Sequence, residues 1–111
     1  MAEGEGEEPA GGGVRLAPDE VAAIKATVRE IFAANTVVRL FGSRVDDDLR
    51  GGDIDLHFEV DEGEQRLTKA ADFRSRLFER LDEQKVDLVF HVRGRPLRPI
   101  DQAAFDEGVI L

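Results

Sequence analysis

A chain of 111 residues with 24 acidic against 15 basic side chains and no cysteine has room for one domain and carries a formal charge of -9. That balance argues against a general nucleic-acid binder, which needs a basic surface to displace counterions, and suits a metal or a basic partner better. Without cysteine there is no disulfide framework, no thiolate nucleophile and no cysteine-based zinc site, so the cytoplasm is the expected compartment.

The opening "MAEGEGEEPAGGG" has neither the basic start nor the apolar run of a secretory signal. Its apolar content is too low to offset ordering entropy, which predicts a disordered acidic, glycine-rich tail over residues 1–13 and a folded domain over 14–111. No stretch approaches the ~20 apolar residues of a membrane helix, and no membrane association is expected. In "APDEVAAIKATVREIFAA" the residues Val21, Ile24, Val28, Ile31 and Phe32 recur at helical spacing. Pro18 suits the first turn of that helix, and Asp19 and Glu20 suit its positive end.

"VVRLF" reads as a buried strand stopped by Gly42. "DIDLHFEV" alternates strictly, with Ile54, Leu56, Phe58 and Val60 on one face and Asp53, Asp55, His57 and Glu59 on a wet one. Leu67, Ala70, Ala71, Leu77, Phe78 and Leu81 make the stripe of a second helix, and "KVDLVFHV" is a third strand in which Asp87 and His91 share a side. "RGRPLRP" is a basic turn, and a last helix starts near Pro99 and stops at Gly108. The order helix, strand, strand, helix, strand, helix predicts an α+β fold, a small mixed β-sheet with helices packed on one face.

The stretch "FGSRVDDDLRGGDID" concentrates the chemistry. Asp53 and Asp55, two apart on a strand, project to the same side, where their repulsion makes ionisation costly unless a cation sits between them. Magnesium fits, because it takes hard oxygen ligands from one or two carboxylates and completes its octahedron with water and phosphates. Asp87, isolated in an apolar strand, needs a compensating charge. If its strand pairs beside the second, three acids around one point can hold two divalent ions for in-line phosphoryl chemistry. Gly42 admits close backbone approach, Ser43 adds a hydroxyl and Arg44 a charged fork, which are the donors that phosphates require.

These residues resemble the nucleotidyltransferases of the DNA polymerase beta superfamily, whose signature is a hydrophobic residue, Gly, Gly or Ser, a spacer, then Asp, hydrophobic, Asp. Here it is Phe41, Gly42, Ser43, a spacer, Asp53, Ile54, Asp55, with "VDLV" matching the third carboxylate at Asp87 and "AAFDEGVIL" resembling the closing helix. Within that superfamily the short chain is similar to the minimal nucleotidyltransferases (MNT), commonly encoded beside an all-helical HEPN toxin RNase. The resemblance implies a polymerase-beta-like fold and the antitoxin of a type VII toxin–antitoxin module, which transfers AMP from ATP to a tyrosine of its toxin. It implies Asp53, Asp55 and Asp87 as catalytic magnesium ligands, Asp87 helping to deprotonate the acceptor, and Gly42, Ser43 and Arg44 as ATP-binding residues. A partner protein would complete the cleft, giving a hetero-oligomer.

Two other readings stay open: a non-catalytic antitoxin that masks the toxin, and nucleotide transfer to a small molecule or RNA. A calcium loop starting at Asp46 fails, since Arg50 and His57 fall where oxygen ligands are required. Asp46, Asp47 and Asp48 read as turn formers. His57 and His91, each sharing a face with a proposed ligand, are either bases or metal ligands or, the preferred reading, polar filler of the sheet. Arg93, Arg95 and Arg98 either touch phosphate or partner or balance charge.

Overall fold

A computed structural model describes residues 16–42, 54–81 and 85–111. The elements are α1 (Pro18–Ile31), β1 (Val37–Phe41), β2 (Ile54–Val60), α2 (Leu67–Phe78), β3 (Val86–Val92), α3 (Pro99–Glu107) and β4 (Val109–Ile110). Together they form the expected α+β fold with a mixed sheet of order β3-β2-β1-β4. β1 runs antiparallel to both β2 and β4, while β2 and β3 are parallel, their connection carrying α2. The tail read over residues 1–13 lies outside the described residues. Among the described residues, no helix is long and apolar enough to cross a membrane.

α1 starts where the sequence places it, at Pro18, and the Glu20 carboxylate accepts the Ala17 N–H at 2.8 Å, satisfying one orphan donor of the first turn. It ends at Phe32, whose backbone is extended and whose ring is buried. The apolar stripe of α1 and the Ala70, Phe73 and Leu77 stripe of α2 cover the sheet face formed by Ile54, Leu56, Phe58 and Val60, all fully buried. Phe58 is the centre of this core, with ring centroids 5.1 Å from Phe32, 5.3 Å from Phe73 and 4.9 Å from Phe90. On the outside, Glu30 of α1 accepts from Arg80 at 2.5 Å and Arg76 at 3.3 Å, tying α1 to the end of α2. The Arg80 bond, helped by the charges of both arginines, holds the Glu30 carboxyl below its ordinary range against the opposing effect of burial.

α3 stops at Gly108, as the sequence predicts, and gives way to β4, a strand the sequence does not announce. Glycine is dictated there by space: a Cβ would lie 2.4 Å from the Ala104 carbonyl oxygen and 3.2 Å from that of Leu40. The close approach lets a strand of only two residues reach β1, pairing Val109 with Leu40 and Ile110 with Arg39. Two residues carry no readable alternation, so nothing in composition distinguishes β4 from a fraying helix end.

Candidate active site

The registers put the sequence-predicted carboxylates in one row. Antiparallel pairing sets Phe41 opposite Asp55, and parallel pairing sets Asp55 opposite Asp87, each aspartate being the second residue of its strand. Adjacent strands lie ~4.8 Å apart, so two carboxylates whose side chains leave the same sheet face stand side by side. Both are partly exposed, unlike their apolar flanking residues Ile54 and Val86.

Gly42 closes this end of β1 with φ of +80°, in the left-handed region that favours glycine. A Cβ on Gly42 would stand 2.4 Å from Asp55 Oδ2. The backbone therefore passes directly over the carboxylate, and that cradle exists only because position 42 has no side chain. Asp53, Ser43 and Arg44, expected as the partners of these three residues, lie outside the described residues, as do Asp46, Asp47 and Asp48. Among the described residues no group of three or more His, Asp or Glu side chains is arranged to hold a metal. The pair Asp55 and Asp87 fits a hard divalent cation in donor chemistry: each brings an oxygen-only, anionic group to a common row beneath the Gly42 backbone.

One residue pair further along the same face the environment reverses. His57 is expected on a wet face, and the structure corrects this: its ring is completely buried. α3 lies over it, with Asp101 Oδ1 2.7 Å from His57 Nε2 and the Phe105 ring meeting the imidazole edge-on at 5.6 Å. Asp101, also fully buried, accepts from Arg98 through its backbone N–H at 2.8 Å, Nε at 2.9 Å and a terminal nitrogen at 3.0 Å. Those Arg98 bonds, more than the His57 bond and against the opposing effect of burial, hold the Asp101 carboxyl far below the usual carboxylate range. An ionised carboxylate only accepts, so His57 donates from Nε2, and its buried Nδ1 has no partner among the described residues.

His91 is nearly as buried, its ring stacked near that of His57 at 6.5 Å, with Nε2 3.0 Å from the Arg95 carbonyl oxygen. Both histidines are thus sheet filler of a polar kind, held by acceptors. Charge balance likewise accounts for the basic turn. Arg93 pairs with Asp61 at 3.1 Å, Arg95 with Glu62 at 2.6 Å and Arg98 with Asp101. The residue that sequence reasoning missed is Asp101. Its position as the third residue of a Pro-led helix signals a cap, but nothing local foretells a bond to a histidine 44 residues away.

No family model matches the chain, and no curated protein matches it either.

Proposed function

We propose that the chain is a magnesium-dependent nucleotidyltransferase of the minimal, polymerase-beta-like kind, an antitoxin that transfers AMP from ATP to a tyrosine of a cognate all-helical HEPN toxin. The observation that carries this reading is the side-by-side placement of Asp55 and Asp87 under a Gly42 backbone that passes within a methyl group's width of Asp55. Asp53, Asp55 and Asp87 would hold the metal, and Gly42, Ser43 and Arg44 the triphosphate. Bound there, magnesium would neutralise the phosphates and draw electron density from the α-phosphorus. The chain's own residues orient the nucleotide so that the tyrosine oxygen bonds to the α-phosphorus in line with the departing pyrophosphate, and Asp87 takes the hydroxyl proton.

The formal charge of -9 suits a protein partner with a basic active-site cleft, which would complete one side of the pocket. The test is intact-mass measurement of that partner after incubation with ATP and magnesium. The wild-type protein should add one or more AMP units, and the combined Asp53→Ala and Asp55→Ala variant should add none. An unchanged partner mass with wild-type protein contradicts the reading. Protection from the toxin that survives in the double variant would move the function to masking.

A further inference from the structure

A cavity of about 200 Å³ opens at the other end of β1, between the C-terminal half of α1 and the β1–β4 edge. Its walls are apolar, formed by Val28, Val37 and Ile110 among others, and Ile110 is 61% exposed at the rim. Lys25 and Arg29, one helical turn apart on α1, also line it. Neither has an ion pair or hydrogen bond among the described residues, whereas Arg39, Arg76, Arg80, Arg93, Arg95 and Arg98 all pair with acids. In a protein with 24 acidic residues, two neighbouring cations without partners beside an apolar slot are a local inversion of the surface field.

We infer that this slot binds a small aliphatic carboxylate, its chain against the valines and Ile110 and its head between Lys25 and Arg29. The volume sets the size, since pockets for drug-sized molecules start near about 300 Å³, and the hydrocarbon walls favour an alkyl body over a nucleotide's polar one. The site is separate from the carboxylate row: it takes residues 36–38 at the start of β1, whereas Phe41 and Gly42 stand at its end.

Hexanoate is the probe, with hexanol as its uncharged counterpart, titrated into ¹⁵N-labelled protein. Saturable shifts at the amides of Val37 and Ile110 are expected with hexanoate. Binding should weaken by about tenfold or more, on the scale of one lost charge-assisted contact, in the combined Lys25→Gln and Arg29→Gln variant and for hexanol. The two positions make no pair that folding depends on, and unshifted resonances of the Phe58 core verify the fold. No saturable shift, equal affinity of hexanol, or unchanged affinity in a folded double variant would each overturn the proposal.

Discussion

Asp55 with Asp87, and His57 with His91, leave the same face of the same two strands, yet their surroundings are opposite. The aspartates stand partly exposed at the strand entrances, under a backbone that glycine keeps clear. The histidines lie under α3, where each ring nitrogen Nε2 meets an acceptor. Strand periodicity alone assigns both pairs to one polar face. What separates them is α3, which lies over the histidines. The buried Asp101 charge anchors α3 to the sheet, while the Asp55 and Asp87 carboxylates stay partly exposed.

The contrast makes a stability prediction with a large expected difference. Asp101→Ala leaves His57 without its acceptor and Arg98 without its carboxylate, and should cost on the order of 3 kcal/mol in urea denaturation. Asp87→Ala, at a partly exposed site beside another carboxylate, should move stability by less than about 1 kcal/mol. Equal losses would erase the distinction between the rows. The depressed carboxyl of Asp101 adds a pH signature, because the folded state binds fewer protons there than the unfolded one. Its contribution is therefore complete above the ordinary carboxylate range near pH ~4 and drains away as the pH falls below it. Asp101→Asn should flatten the acid limb of the stability profile.

A smaller effect sharpens the other row. Gly42→Ala places a Cβ 2.4 Å from Asp55 Oδ2 at φ +80°, so it should cost about 1–2 kcal/mol and push the carboxylate aside. For the proposed AMP transfer, a loss larger than that stability change explains would locate the damage at the cradle; unchanged transfer would show that the close approach has no part in the chemistry.

Much of this geometry was legible in the sequence, for definite reasons. The α1 stripe and the strict alternation of β2 fix faces as well as elements, so Ile54, Leu56, Phe58 and Val60 land in the core as read. Asp87 beside Asp55 followed once β3 paired parallel to β2, a condition the alternation could pose but not decide. The burial of His57 was illegible because it depends on a contact 44 residues distant, and β4 because it has only two residues. Asp53, Ser43 and Arg44 lie outside the described residues, and their part in the site rests on the resemblance.

Whether Asp55 and Asp87 hold a cation between them is read directly by paramagnetic broadening from manganese. Added to ¹⁵N-labelled protein, manganese should broaden the amides of Gly42, Asp55 and Asp87 first, leave those of Val37 and Ile110 sharp, and lose this pattern when Asp55→Asn and Asp87→Asn are combined. Broadening spread over the acidic surface, and the same in that variant, would contradict the account.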